Sequence, residues 1–243
     1  MQKWYRRWYE SLDGLVAWTG MDTVEYAPGR LADRFGDPAA PTVLLWHGMQ
    51  SNARSAVRTL AELVAAHGFS VVAADWDSHA DDGGRDDLLR SARFAQDLGG
   101  GTDGLVVVGW SMGGLAAAGL TINAVGLDVR LKHTVCLAGA FMATDPITRD
   151  VPARSLAGAA DRSPFTLLHG TDDDVVPIAA SRDFADELSR HGWQVEVGEL
   201  DADHATIAGA AYDKEADRYV AADDPQTLSV ATDVAARIAA VCG

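Results

Sequence analysis

The sequence predicts an α/β fold: a doubly wound, mostly parallel sheet with helices on both faces. Short apolar runs rich in β-branched residues alternate along the chain with longer stretches whose apolar residues recur at helical spacing. Several of the short runs end in glycine-containing or acidic turns, as expected where a buried parallel strand gives way to a loop. Strands that alternate with helices in this way indicate a parallel sheet covered on both sides.

The predicted elements begin with an N-terminal antiparallel hairpin, in which residues 23–26 and 31–35 flank a Pro28-Gly29 turn. The buried strands that follow are predicted at residues 42–46, 70–74, 104–108, 133–137, 165–168 and 194–200. The helices, predicted from their apolar faces, span residues 55–67, 86–98, 115–125, 178–191 and 227–241. One further short helix is predicted around residues 155–160.

The length of 243 residues suits one domain over residues 1–243. Residues 1–20 are an aromatic segment predicted to be helical, because Trp4, Trp8 and Leu12 recur at helical spacing. Packing of this stripe on the domain is favoured over contact with a membrane surface or a partner. The sequence leaves open whether the segment closes a site, mediates homodimerisation or simply packs.

The composition argues against several partner classes. The net charge is −15, from 35 acidic and 20 basic residues, and such a surface repels nucleic-acid phosphates and anionic membranes. It also disfavours polyanionic substrates unless basic side chains line the site. The two cysteines, Cys136 and Cys242, form no disulfide framework, and no apolar span suggests a membrane segment. We therefore expect a cytoplasmic protein without nucleic-acid or membrane partners.

The stretch from Gly109 to Gly113 reads Gly-Trp-Ser-Met-Gly, between a Val-rich strand and an Ala- and Leu-rich helix. A serine on a strained strand-to-helix turn needs neighbours without side chains, because the flanking backbones approach closely. This context predicts a nucleophile elbow at Ser111. An acid and a histidine should then follow later in the chain.

Four motifs, each after a predicted strand, carry a resemblance to a known family. They are the His47-Gly48 turn, Gly-Trp-Ser-Met-Gly-Gly at 109–114, His-Gly-Thr-Asp-Asp-Asp-Val-Val-Pro at 169–177 and Asp-Ala-Asp-His at 201–204. Together they resemble the α/β-hydrolase superfamily over residues 23–243. The resemblance is to small carboxylesterase-like and dienelactone-hydrolase-like members, although the cysteine nucleophile of the latter is absent here.

The resemblance implies a catalytic triad in the order Ser, Asp, His. Ser111 would be the nucleophile and His204 the base, with His79 as the rival because its loop could face the site. The family pattern places the acid just after the His-Gly turn, which matches Asp173 best. A shift of one residue, to Asp172 or Asp174, stays open at this stage.

Acyl transfer needs two N–H donors for the developing oxyanion. The residue after the nucleophile, Met112, would supply one of them. The loop after His47-Gly48 would supply the other, and Met49 is preferred over Gln50. No metal or other cofactor is expected, because the acidic runs lack a recognisable ligand spacing.

The connection over residues 138–164 is too short for a sizeable lid domain, so an open site is expected. Its walls are predicted to be Trp76, Trp110, Phe141 and Met142, although Trp110 and Phe141 could equally be core residues. The predicted function is a serine hydrolase that cleaves small-molecule acyl esters through an acyl-enzyme. Alternatives are a thioesterase, lactonase or acyltransferase with the same triad, or a ligand-binding protein that keeps the fold without catalysis.

Overall fold

A computed structural model describes residues 20–99 and 104–242. Eight strands form one sheet in the order β1-β2-β4-β3-β5-β6-β7-β8. Their bounds are β1 Met21–Ala27, β2 Arg30–Phe35, β3 Thr42–Trp46, β4 Ser70–Ala74, β5 Leu105–Trp110, β6 Leu131–Leu137, β7 Phe165–Gly170 and β8 Val195–Leu200. Strands β3 to β8 run parallel, whereas β2 is antiparallel to both of its neighbours. The predicted parallel sheet with an N-terminal hairpin is confirmed.

Five α-helices cover the two faces of the sheet. They are α1 Arg58–Ala66, α2 Arg85–Gly99, α3 Met112–Ile122, α4 Ala179–Arg190 and α5 Pro225–Cys242. One core layer contains apolar side chains of α2, α3 and α4, and the other contains those of α1 and α5. Alternate residues of β3 divide between the layers: Leu44 enters the first and Val43 the second. This period-two division is why the central strands are apolar on both faces.

Helix α3 is buried along nearly its whole length, from Gly113 to Ile122. Its glycines and alanines let the backbone lie close to the sheet, and its leucines fill the layer beneath it. Burying one such leucine side chain contributes about 1.5–3 kcal/mol. The helix that follows the predicted elbow is therefore a rigid part of the core.

Three local differences separate the structure from the sequence prediction. The segment before α1, Arg54–Val57, is a 3-10 turn rather than part of the helix. The short helix predicted around residues 155–160 is replaced by two 3-10 turns, Pro152–Arg154 and Leu156–Gly158. A second small sheet, formed by β9 Ala210–Asp213 and β10 Arg218–Ala221, was not predicted. Its strands are only four residues long and partly exposed, so they lack a strong apolar pattern.

The connection between β6 and β7 holds the two 3-10 turns and, over its described residues 138–164, no lid domain. No described helix has both the length and the apolar character that a membrane crossing requires. The aromatic segment predicted over residues 1–20 lies outside the described residues, apart from Gly20.

Candidate active site

Ser111 lies between β5 and α3 with φ +57° and ψ −118°, a region that residues other than glycine rarely adopt. A Cβ on Gly109 would lie 2.1 Å from the carbonyl oxygen of Gly113, so no side chain fits there. A Cβ on Gly113 would lie 2.3 Å from the carbonyl oxygen of His47. The close approach of these backbones produces the strand-to-helix turn that the G-x-S-x-G pattern predicts.

The structure brings Ser111, His204 and Asp173 into one chain of hydrogen bonds. The Oγ atom of Ser111 lies 3.0 Å from Nε2 of His204, and Nδ1 of His204 lies 2.8 Å from Oδ2 of Asp173. Ser111 follows β5, Asp173 follows β7 and His204 follows β8, so all three stand at the carboxyl edge of the parallel sheet. Such an arrangement can move a proton from the hydroxyl to the imidazole.

The carboxylate of Asp173 is fully buried and accepts hydrogen bonds on both oxygens. Its Oδ1 accepts from the amides of Val175 and Val176, and its Oδ2 faces the imidazoles of His169 and His204. Burial alone raises the pKa of this carboxyl, but the hydrogen bonds outweigh burial and hold the pKa below its usual value. An ionised Asp173 keeps the proton of His204 on Nδ1, which leaves Nε2 free to accept one.

Asp172 and Asp174, which the sequence left open as alternatives, are exposed and make no hydrogen bond to His204. The turn after β7 determines which of the three aspartates faces His204. The two amides that cap Asp173 point its side chain inward, whereas its neighbours point to solvent.

The loop that carries His204 is held from β5 and from the second sheet. The indole Nε1 of Trp110 donates to the carbonyl oxygen of His204 at 2.7 Å. The ring of Tyr219, from β10, contacts the Trp110 ring edge-on at a centroid distance of 4.9 Å. The backbone amide of Tyr219 in turn donates to the side-chain oxygen of Gln50. The β9–β10 hairpin therefore ties the His204 loop to the loop after β3.

Two other histidines near the carboxyl edge, His47 and His79, make their hydrogen bonds to groups other than Ser111. His47 is fully buried, and burial lowers its pKa to about 4, so its imidazole is neutral. Its Nε2 accepts from the amides of Ala53 and Trp76, which orders the loops after β3 and β4. His79 is 68% exposed at its side chain and contacts the hydroxyls of Ser51 and Ser78 rather than Ser111.

His169 has a place in the site that the sequence did not indicate. Its fully buried ring lies with Nε2 2.9 Å from the carbonyl oxygen of Val176 and 3.3 Å from Oδ2 of Asp173. Its Nδ1 accepts from the hydroxyl of Ser181 on α4 at 2.7 Å. The local pattern around His169 does not indicate this contact, because it depends on how the turn after β7 folds back over the strand.

The loop after β3 passes directly beside Ser111. A Cβ on Gly48 would lie 3.4 Å from Cβ of Ser111, so the backbone at Gly48 lies against the Ser111 side chain. Met112 is the first residue of α3, so its N–H has no acceptor within the helix. Among the hydrogen bonds of the described residues, neither the N–H of Met49 nor that of Met112 has an acceptor. Both amides are thus available to an oxyanion.

The structure corrects part of the expected substrate wall. Trp110 and Phe141 lie in the core, where Trp110 holds the His204 loop and Phe141 stacks on Phe184 at 4.2 Å. Trp76 is also fully buried, although it still borders a small cavity beside Met49. Large aromatic rings bury more apolar area in the core than at the rim, which explains the difference. Met142, in contrast, is 54% exposed at the carboxyl edge.

Within the described residues, no group of three or more histidine, cysteine, aspartate or glutamate side chains is arranged to hold a metal ion.

A sequence model described as the alpha/beta hydrolase family matches residues 43–241. The chain belongs to the alpha/beta hydrolase family. No curated protein sequence matches it significantly. Among solved structures, esterase 2 of Thermogutta terrifontis phosphorylated by paraoxon is similar, with a TM-score of 0.66 and 18% identity over 90% of this chain and 94% of that chain.

A thioesterase domain from the curacin biosynthetic pathway is also similar, with a TM-score of 0.61. It is 15% identical and covers 90% of this chain and 98% of its own. At such low identities these structural similarities show the fold alone, and family membership rests on the sequence model.

Replacing Gly109 by alanine should destabilise this alpha/beta hydrolase, because the new Cβ overlaps the Gly113 carbonyl oxygen. We expect the free energy of unfolding in urea to fall by about 1–3 kcal/mol, the usual range for overpacking. Gly158→Ala is the matched control, since a Cβ there meets nothing within 4 Å. Equal stabilities of the two variants would contradict the described elbow.

Asp173→Asn should reduce stability more at pH 6 than at pH 3. The folded-state pKa of Asp173 is lowered, so its contribution is present above the unfolded carboxyl pKa of about 3.9 and is lost as the pH falls through the folded pKa. Urea unfolding of the wild type and of Asp173→Asn at pH 6 and at pH 3 measures the difference between their free energies of unfolding at each pH. Asp174→Asn, at an exposed position, should lose no more stability at pH 6 than at pH 3. If Asp173→Asn instead loses more stability at pH 3 than at pH 6, the lowered pKa assigned to Asp173 is wrong.

Proposed function

We propose that this chain is a serine hydrolase of carboxylic esters, with Ser111 as nucleophile, His204 as general base and Asp173 as the orienting acid. The observation that carries the proposal is the chain of hydrogen bonds from the Ser111 hydroxyl, through His204, to the ionised Asp173. A serine hydroxyl is hardly ionised at neutral pH, so it attacks a carbonyl only when a base within hydrogen-bond reach takes its proton.

In the first half of the reaction, Oγ of Ser111 attacks the ester carbonyl carbon while its proton passes to Nε2 of His204. The carbonyl oxygen becomes an oxyanion, which the N–H groups of Met49 and Met112 stabilise. One such donor contributes about 3 kcal/mol to the transition state. The tetrahedral intermediate then collapses: the bond to the alcohol oxygen breaks, and the imidazolium returns the proton to the departing alcohol.

In the second half, water attacks the acyl group on Ser111, and His204 takes the proton of that water. Collapse of the second tetrahedral intermediate breaks the bond to Oγ, and the proton returns from His204 to Ser111. The products are a carboxylic acid and an alcohol, and the enzyme is restored. Asp173 stays ionised throughout, stabilising the imidazolium each time it forms.

A small-molecule substrate fits the open carboxyl edge and the acidic surface. Met49 follows Gly48 and Met142 follows β6 at the carboxyl edge, and each is more than half exposed and offers flexible apolar surface to a short acyl chain. The net charge of −15 disfavours nucleic acids and anionic membranes as partners. One similar structure, the Thermogutta terrifontis esterase 2, has been described with propionate bound, which supports short acyl groups as the first substrates to test.

Thioesters are the second substrate class to test, because a thioesterase domain has the same fold. The same attack of a serine hydroxyl on the acyl carbon can cleave an ester C–O bond or a thioester C–S bond. Comparing kcat/KM for a butyrate ester and its thioester of equal length separates the two. Preference for the thioester would replace esters in the proposal while leaving the triad in place.

Ser111→Ala should lower kcat for hydrolysis of 4-nitrophenyl butyrate by about 10⁴-fold or more, because the members of a triad act as a unit. In parallel, paraoxon should add one diethylphosphoryl group to the wild-type protein and none to the variant, as read by intact-mass spectrometry.

Ser189→Ala is the matched control, since Ser189 is an exposed serine on α4 and should retain both activity and labelling. Circular dichroism confirms that the variants are folded. If the folded wild-type protein neither hydrolyses esters nor is labelled at Ser111, the chain is a ligand-binding member of the family instead.

A further inference from the structure

A small cavity of about 190 Å³ is bordered by Met49 and Met112, the two residues whose amides are proposed to bind the oxyanion. At about 30 Å³ for each water-sized group, it holds roughly six non-hydrogen atoms. A substrate whose carbonyl oxygen lies between the two amides can therefore extend one short arm into this cavity.

The arm that enters the cavity belongs to the acyl group. His204 has to give a proton to the leaving oxygen, so the leaving group must lie on the His204 side of the carbonyl carbon. His204 borders a different hollow, together with Asp174 and Tyr219. It does not border the cavity beside Met49 and Met112.

A cation stands at the wall of the acyl cavity. Arg149 lies with its guanidinium over Gly83, where an added Cβ would be 3.1 Å from Nη1. Among the described residues, the guanidinium of Arg149 makes one hydrogen bond, a long contact of 3.4 Å to the carbonyl oxygen of Asp81. No carboxylate of the described chain lies within ion-pair distance of Arg149, whereas nearby Arg154 pairs with Asp150 at 3.3 Å.

The backbone at Arg149 is held in an unusual conformation. Its φ is +65°, a left-handed value that strains the backbone of a residue other than glycine. The turn that imposes it is built on Asp145, whose carbonyl oxygen accepts from the amide of Arg149 at 2.9 Å. Strain retained beside a site suggests a role for the side chain that it positions.

The carboxylates near the cavity are already engaged by other donors. Asp145 borders the cavity, but its oxygens accept from the amides of Ile147 and Thr148 and from the Thr148 hydroxyl. Asp77 accepts from Ser51 and from the amide of His79. Asp82, whose charge interacts with that of Arg149 without a hydrogen bond to it, accepts from the amides of Gly84 and Asp86. The donors of the Arg149 guanidinium thus remain open to a ligand, and its planar fork suits a carboxylate better than a neutral group.

We propose that Arg149 binds a carboxylate at the end of the acyl arm, so that the preferred substrates are half-esters of four- or five-carbon dicarboxylic acids. This inference rests on the proposed function and adds the substrate class. A succinyl arm places five non-hydrogen atoms beyond the ester carbonyl, which the cavity can hold. The local cation also explains how a protein with a net charge of −15 would accept an anionic substrate.

The test compares monoethyl succinate with ethyl succinamate, which has the same shape and no charge. Acid release is followed in a pH-stat, and the readout is the ratio of the two kcat/KM values. For the wild-type enzyme we expect a ratio of about tenfold or more in favour of the half-ester, the size of a charge-assisted bidentate contact. In Arg149→Gln the ratio should fall to about one, whereas Arg149→Lys should keep part of it.

Arg154→Gln is the matched control, because Arg154 is an exposed arginine of the same connection that does not border the cavity. Its ratio should equal that of the wild type. A wild-type ratio of one or less, or a ratio that Arg149→Gln leaves unchanged, overturns the inference while the hydrolase stands. Absence of hydrolysis together with absence of Ser111 labelling by paraoxon overturns both.

Labelling supplies a readout that does not depend on turnover of either ester. Succinate should slow the reaction of Ser111 with paraoxon in the wild-type protein more than succinamide does at equal concentration. The difference should vanish in Arg149→Gln. Equal protection by the two compounds in the wild type would count against a carboxylate site at Arg149.

Discussion

The backbone conformation of Ser111 is the constraint on which the rest of the site depends. A φ of +57° at a serine costs about 1–3 kcal/mol and persists only where the surroundings enforce it. Here β5 on one side and the buried helix α3 on the other leave no alternative path, because Gly109 and Gly113 are in backbone contact. The apolar burial of α3 thereby offsets the strain that exposes the hydroxyl.

The partners of Ser111 are positioned by contacts made far from the hydroxyl. His204 is held through its own carbonyl oxygen by the Trp110 indole, from the strand that leads into the elbow. Asp173 is held by two amides of its turn and faces His169, a buried imidazole anchored to α4 through Ser181. The geometry of the site is therefore a property of the packed core rather than of flexible loops.

The electrostatics of the site are local and differ from those of the surface. The protein carries a net charge of −15, yet the carboxylate of Asp173 is buried and stabilised by directed donors instead of solvent. At the acyl cavity the nearby acidic side chains are engaged by backbone amides and hydroxyls. The guanidinium of Arg149 is the cation that borders this cavity, and it stands beside the carboxylate of Asp82.

The sequence by itself determined the sheet, the order of its strands and helices, and the residues Ser111, Asp173 and His204 as candidates, because apolar periodicity and turn motifs are local signals. It did not predict the β9–β10 hairpin, whose strands are short and half exposed, and it left open whether Trp110 and Phe141 line the substrate wall or lie in the core, where the structure has them. Only the tertiary structure showed which of three adjacent aspartates contacts His204, placed His169 beside that aspartate and put Arg149 at the cavity bordered by Met49 and Met112. These features depend on contacts between residues distant in the chain or on the direction of a side chain. Local sequence patterns show neither.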